Sequence, residues 1–543
     1  MRTGFSLGSA LVVIASSIVF AEHATAQDAI IPSVPVFKGV LTYHNDNLRT
    51  GRNPSETTLT IANVNSTKFG KLFVINTDGK VDAEPLYAPN IAIPGNGTHN
   101  MLFIGSEHGT MYGFDADTGA QIWQKSMPQP GETPSDDRGC SQVTPEIGVT
   151  ATPVIDLAIG PHGTIYVVSM SKSSDNVYHQ RLHALDIANG TEQLGGPVEI
   201  AAQYPGTGDG SVNGQVIFNP GKYKERAGLL LLNHRVYLFF TSHCDFRPYT
   251  GWIMSYNEAT LAQKSVLNIT PNGNEGSIWQ AGAGPAADGS GNIYFLTANG
   301  TFDLSINGNG FPANGDYGNA FMKLSTKNGK LAVADYFNMW NTTSESNQDQ
   351  DLGSGGAMLL PNIKDSNGTV HHLAVGAGKD AHIYLVNRDN MGKFNPSNNN
   401  QIYQDLTSSL GGSVFSSPAF FNNRIYYGAV GDTIKAFAFN SNGQLNSTPE
   451  SHTSTSFPYP GATPSISGTI SANAILWAVE NSSVAVLHAY HAKNLAIELY
   501  NSSQAAGGRD HFGAGNKFIT PMIANGKVYV GTTNGVGVFG LLP

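Results

Sequence analysis

Residues Met101–Trp123 read MLFIGSEHGTMYGFDADTGAQIW. An apolar run leads into a Gly-containing turn. A second apolar run ends at Asp115-Ala116-Asp117-Thr118-Gly119, and a third closes on Trp123. Strand-length runs rich in Ile, Tyr and Phe, separated by Gly, Asn and Asp, argue β-structure. Looser copies begin at Thr164, Arg235, Asn292, His372, Arg424, Ala474 and Lys527. Most are preceded by Pro and an apolar pair, as in Glu84-Pro85-Leu86-Tyr87, Thr152-Pro153-Val154-Ile155 and Thr520-Pro521-Met522-Ile523. Pro is tolerated there because the ladder has not begun.

Four strands per unit, repeating every ~40–50 residues, mark a propeller blade. Inserted loops widen that period here. The expected fold is all-β, an eight-bladed β-propeller, with seven blades as the alternative if one degenerate copy is not a true sheet. Gly70–Asn76 (GKLFVIN) precedes the first Pro element without a blade of its own. The last copy runs out at Leu541-Leu542-Pro543. We expect the N-terminal strand to complete the last blade, closing the ring and hiding a sheet edge.

Arg2, an apolar run through Phe20 and Ala24-Thr25-Ala26 match the parts of a secretory signal, with cleavage after Ala26. The expected organisation is a signal peptide over 1–26, an N-terminal extension over 27–69 and the propeller over 70–543. No later run reaches membrane length, and no Cys near the cleavage site offers a lipid anchor. The expectation is a periplasmic or secreted monomer. A net charge of −10 without a basic cluster argues against nucleic acid. Cys140 and Cys244 are the two cysteines, a candidate disulfide in an oxidising compartment. Two separate buried thiols are the alternative. Sequons such as Asn65, Asn189, Asn268, Asn341 and Asn501 are neutral in a chain this rich in Asn, Ser and Thr.

The GFDADTG segment with Trp123, and Ala184–Gly190 (ALDIANG), resemble the repeat of pyrroloquinoline-quinone (PQQ) propellers. That family includes quinoprotein alcohol and sugar dehydrogenases and an outer-membrane assembly subunit. TPEIGVTATPVID, SHCDFRPYTGW and DLGSGGAML are similar to stretches of secreted PQQ-repeat proteins without a settled activity. The resemblance covers about Gly70 to the C-terminus. It implies PQQ, with Ca²⁺, as cofactor. In the methanol-type enzymes two adjacent cysteines lie against one face of the quinone, whereas Cys140 and Cys244 are far apart in sequence. No Cys-x-x-Cys-His is present, so no haem is expected. No phosphate-binding Gly loop is present, and NAD is not expected either.

Propeller loops from the inner strands gather at the axial mouth, where ligands of closed β-architectures bind. The long insertions, including Pro128–Thr150, Ser242–Thr250, Asn299–Tyr317 and Trp340–Gly353, fall on such loops. Candidate acid–base residues there are Glu84, Glu146, His243, Asp245 and Asp303. PQQ is a flat tricarboxylate, so Arg247, Lys379, Arg509 and Lys517 are candidate anchors and Trp279 a stacking plane. Gln280 and Asp380 stand beside them. Asp349 and Asp351 are weak metal candidates, because two carboxylates fall short of the six to eight oxygens of a Ca²⁺ site. Each such residue taken singly has a structural alternative, bracing a loop or a neighbouring blade.

Three functional readings follow for a small-molecule or glycan ligand. The first is a PQQ-dependent-type dehydrogenase acting on an alcohol or sugar. The second is a non-catalytic binding or assembly propeller. The third is a carbohydrate hydrolase or lyase using the rim carboxylates.

Overall fold

In the computed structural model the described residues are Met1, Gly4, Phe37, 39–470 and 472–543. The apolar run and cleavage point of the expected signal lie outside them. Eight sheets of four or more strands follow one another along the chain. The first runs Leu86–Ile93, Gly97–Gly105, Thr110–Asp115, Gln121–Ser126, each strand antiparallel to the next. This is the stretch from which the repeat was read.

The repeat motif is a docking device between sheets. Asp115 accepts from the Thr118 amide at 2.7 Å and the Asp117 amide at 2.9 Å, shaping the turn. Trp123 lies over Gly113, where an added Cβ would come within 2.3 Å of the indole nitrogen. Its Nε1 donates to the Ile187 carbonyl of the second sheet at 2.9 Å. Gly190, at φ +72°, brings the turn of that sheet against the same indole. Apolar clusters of this kind fill the spaces between neighbouring sheets. One holds Tyr166, Leu238 and Trp252; another holds Phe69, Trp477 and Phe539.

The last sheet runs Phe69–Asn76, Gly535–Leu541, Lys527–Thr532, Met522–Ala524. The N-terminal strand is its outer member, paired from Phe69↔Leu541 to Asn76↔Gly535 with a register shift between Lys71 and Phe73. The two ends of the domain are thus joined by a hydrogen-bonded ladder.

One segment, strand-forming only at Arg52–Asn53, touches each of these eight sheets. Along Val40–Asn53, Val40 pairs with Tyr87 of the first sheet, and the Leu41 carbonyl accepts from Ile155 at 2.9 Å. Asn47 Nδ2 donates to Leu231, and the Asn47 carbonyl accepts from Ala287. The Leu48, Thr50 and Gly51 carbonyls accept from Leu359, Phe420 and Ile466, and Asn53 Nδ2 donates to Ile523. These partners sit on or at Leu86–Ile93, Val154–Asp156, Leu230–Leu232, Ala286–Ala287, Met358–Leu359, Ala419–Phe421, Ser465–Ser467 and Met522–Ala524, one strand from each of the eight sheets in chain order. These strands therefore face a common axis, and the segment forms its lining. Arg49 is fully buried there and donates to Pro285 O at 2.9 Å, Thr42 Oγ1 at 2.8 Å and Tyr43 O at 2.8 Å.

Candidate functional site

The inserted loops converge on a cavity of about 620 Å³. Its walls come from sheets separated widely in sequence. Lys224 and Arg226 stand on and just after the short strand Tyr223–Glu225, and Asp245 on the turn after Arg235–Ser242. Trp279 precedes the fourth sheet, Asp349 and Asp351 follow the helix Thr342–Asn347, and Lys379 follows the strand Leu373–Ala377. Phe415, Tyr459 and Phe518 enter from the connections into the last three sheets.

Four aromatic rings form one apolar wall. Trp279 lies 5.9 Å from Phe415 and 6.0 Å from Phe518, and Tyr459 lies 5.4 Å from Phe415. Trp279 Nε1 donates to Asp351 Oδ1 at 3.1 Å. Lys379 Nζ is 2.7 Å from both Asp351 Oδ2 and Asp349 Oδ1. Asn299 Nδ2 donates to Asp349 at 2.9 Å. Burial pushes the Asp351 carboxyl up to about 6, with Lys379 opposing the rise. A carboxylate titrating near neutrality is suited to proton transfer.

Opposite in chemistry is the wall built on a disulfide. Cys140 and Cys244 are bonded, with Cα atoms 6.2 Å apart, and Cys244 lines the cavity. Among the described residues no free cysteine remains. Asp245, beside the bridge, accepts from Ser242 Oγ at 2.7 Å and Tyr249 Oη at 2.9 Å.

Arg226 links the cavity to a buried carboxyl pair behind it. Its Nη1 is 3.0 Å from Asp82 Oδ2, and its guanidinium lies 5.0 Å over the Phe518 ring. Glu107 accepts from the Gly148 amide and from Thr150 Oγ1, both at 2.9 Å. Burial and then the Asp82 charge hold the Glu107 carboxyl well above its usual range. Burial acts on Asp82 in the same direction, but the Arg226 charge together with hydrogen bonds from Glu107, Asn516 and Arg226 outweighs it and keeps Asp82 ionised. Two adjacent buried carboxyls cannot both ionise, and Glu107 keeps the proton. The stability this gives is full below the ordinary carboxyl range and is lost as pH rises toward the elevated folded value. Glu107→Gln mimics the protonated acid. We expect it to change the melting temperature little at pH 5 and to flatten its decline between pH 5 and 9, as thermal denaturation across that range will read.

Of the sequence candidates, Asp245, Trp279, Lys379, Asp349 and Asp351 come together on this cavity. Several others are engaged elsewhere. Glu84 is buried at the axis, where it accepts from the His44 amide at 2.8 Å. Glu146 meets His108 at 3.0 Å. His243 is turned to the Asp137 carbonyl at 2.9 Å, and burial lowers its imidazole to about 4. Asp303 caps the Ser305 and Asn314 amides. Arg247 pairs with Asp209 at 2.8 Å on an exposed loop. Gln280 is buried and braces Leu296 and Ala283. Asp380 accepts from Tyr384 Oη at 2.5 Å. Arg509 pairs with Asp510 at 2.7 Å, and Lys517 reaches Ser141 O at 3.4 Å. None of these nine lines the cavity.

Lys224 and Arg226 escaped the sequence reading. The available signal was a run of three charges, Lys224-Glu225-Arg226, ahead of a first strand in a chain with only 13% charged residues.

The architecture has solved counterparts. A quinohemoprotein alcohol dehydrogenase from Comamonas testosteroni superposes with TM-score 0.60 at 14% identity, over 93% of this chain and 80% of that one. The fold is the quinoprotein β-propeller. The alcohol dehydrogenase ADHIIG from Pseudomonas putida HK5 gives TM-score 0.59 at 11% identity, over 93% and 80% of the two chains. A europium-containing methanol dehydrogenase gives TM-score 0.57 at 11% identity, covering 93% of this chain and 98% of that one. No protein-family model and no curated protein sequence matches the chain. Among the described residues of the propeller, no helix is long and apolar enough to cross a membrane.

Proposed function

We propose that the cavity is the active site of a quinoprotein-type oxidoreductase, with PQQ as cofactor and an alcohol or sugar as substrate. The observation that carries this is the meeting, on one cavity, of Trp279, the Cys140–Cys244 bridge and Asp351 held by both Trp279 and Lys379. The donor set fits a flat polyanion: an aromatic wall with the cations Lys224, Arg226 and Lys379 around it. Trp279 offers the stacking plane, and the disulfide stands in for the adjacent cysteines of the methanol-type enzymes. A quinone bound there supplies the two-electron acceptor for alcohol oxidation.

The chain's own residues supply the proton chemistry. Asp351 takes the substrate hydroxyl proton, and Lys379 keeps that carboxylate oriented. Asp245, held by Ser242 and Tyr249, receives the hydrogen bonds of a polyhydroxylated substrate. Ca²⁺ does not fit at Asp349 and Asp351. The Lys379 ammonium already bridges their oxygens, and among the described residues no group of three or more His, Cys, Asp or Glu is placed to hold a metal. No step is assigned to a metal. The disulfide supports a compartment outside the cytoplasm.

The test is addition of PQQ to purified protein. Binding at a hundredfold excess over Kd stabilises the native state by about 2.7 kcal/mol. We expect a raised melting temperature, a change in quinone absorbance and dye reduction with alcohols or aldoses. Absence of any shift at saturating PQQ removes the reading. A shift without turnover on any alcohol or aldose converts it into a ligand-binding propeller.

A further inference from the structure

Lys224 is distinguished from the other cavity cations by its lack of a partner. Arg226 is paired with Asp82, and Lys379 with Asp349 and Asp351. Among the described residues no carboxylate forms an ion pair with Lys224, and no acceptor takes a hydrogen bond from its ammonium. The side chain is nevertheless only 6% exposed and faces the cavity. The strand dictates this direction. Tyr223 and Glu225 turn to the core side, Tyr223 into the apolar cluster and Glu225 to the Phe239 amide. Lys224 between them must point the other way.

Burying an unpaired ammonium is costly, and such a charge needs a counter-ion or loses its proton. Burial, and then the neighbouring Arg226, lower the Lys224 amine to about 8. Glu107, Asp245 and Asp82 pull the other way, and His243 feels the same charge on its own titration. No carboxylate among the described residues pairs with it, and because the lysine opens on the cavity a bound ligand can bring the anion that completes the site. The four-ring wall fixes the rest of its character as planar and aromatic.

We propose that Lys224 anchors the carboxylate of a planar aromatic acid in the cavity, and that the acid binds together with a proton taken up by this lysine. The inference rests on the cavity being the ligand site, not on the ligand being redox-active. At pH 8 the free amine is about half protonated, and an anion held against it makes protonation complete, so about half a proton is taken up. At pH 6 the amine is already charged and its share of the uptake vanishes, leaving only what Asp351, near 6, takes up independently of Lys224. Above pH 8 affinity falls by up to about tenfold per pH unit.

Titration calorimetry on the full chain tests this, with PQQ and quinoline-2-carboxylate as probes and quinoline-2-carboxamide as the neutral control. Measurements at pH 6 and pH 8 in two buffers of different ionisation enthalpy read the proton count. We expect both carboxylates to bind, the amide to bind at least about tenfold more weakly, and Lys224-dependent uptake, read as wild type minus Lys224→Arg, at pH 8 only. Lys224→Met should weaken both carboxylates by about tenfold or more. Lys224→Arg should hold affinity within a few-fold but abolish the uptake, because a guanidinium stays protonated. Its melting curve separates this from loss of fold. Uptake that persists in Lys224→Arg, undiminished affinity in folded Lys224→Met, or failure of both carboxylates to bind overturns the proposal. Quinoline-2-carboxylate binding with Lys224-dependent uptake while PQQ fails leaves the anchor standing and removes the quinone reading.

Discussion

Replacing Arg49 by Met is expected to cost about 3–5 kcal/mol, because it leaves buried charge and buried acceptors uncompensated. The guanidinium donates to Pro285 of the fourth sheet and to Thr42 and Tyr43 of its own segment. It also faces the carboxyls of Asp46 and Glu84, both raised by burial, Glu84 to about 8, with Arg49 opposing the rise. Met matches its length but donates nothing, so four acceptors, Asp46 O at 3.3 Å among them, lose their partner. The packing is tight as well: a Cβ added at Gly284 would lie 2.8 Å from Arg49 Nη2. Urea denaturation will read the loss as a lower midpoint. Arg49→Lys, which keeps the charge without the planar fork, should fall between wild type and Met. A change below about 1 kcal/mol for Arg49→Met, the range of an exposed pair, would show that the Val40–Asn53 segment does not bind the sheets together.

Asp351→Asn carries the largest expected effect on activity. Removal of a positioned base typically costs 10²–10⁴ in rate, and we expect a loss of about that size in kcat/KM for the PQQ-loaded protein. Asn keeps an oxygen to accept from Trp279, so the ring plane is retained while the negative charge beside Lys379 is lost. The sign of the pH dependence follows from the raised carboxyl. Asp351 must be ionised to take a proton, so wild-type kcat/KM should rise with pH through about 6 and then level. Asp351→Asn should lack that limb. A variant with the same limb and near-normal turnover would assign the base elsewhere, with Asp245 next in line on the cavity wall.

The site was legible in the sequence where loop position alone decided it. Asp245, Trp279, Lys379, Asp349 and Asp351 sit on inner-strand connections that propeller topology brings to one mouth, and all five reach the cavity. Position on such a loop does not set a side chain's direction. Arg509 and Asp380 share comparable loops but find partners close by in Asp510 and Tyr384, which hold them away. Glu84 follows the same rule at the axis, where the His44 amide claims it. Lys224 and Arg226 were hidden for a related reason. Their strand lies ahead of the third repeat, which begins at Arg235, and only its alternation against Phe240–Ser242 turns Lys224 to the cavity.

The repeat, the all-β character and the closing strand, read as Gly70–Asn76 and found as Phe69–Asn76, could be read directly, because turn chemistry and strand-length apolar runs are local properties of a dozen residues. The path of Val40–Asn53 could not. Its partners are backbone groups on first strands spread from Tyr87 to Ile523, and backbone hydrogen bonding leaves no mark on side-chain pattern. The pairing of Cys140 with Cys244, 104 residues apart, was open between a bridge and two thiols until the loops of the second and third sheets were seen to meet. Local periodicity determined which segments are strands; the closure of the ring alone decided which distant loops share a cavity and which charge in it lacks a partner.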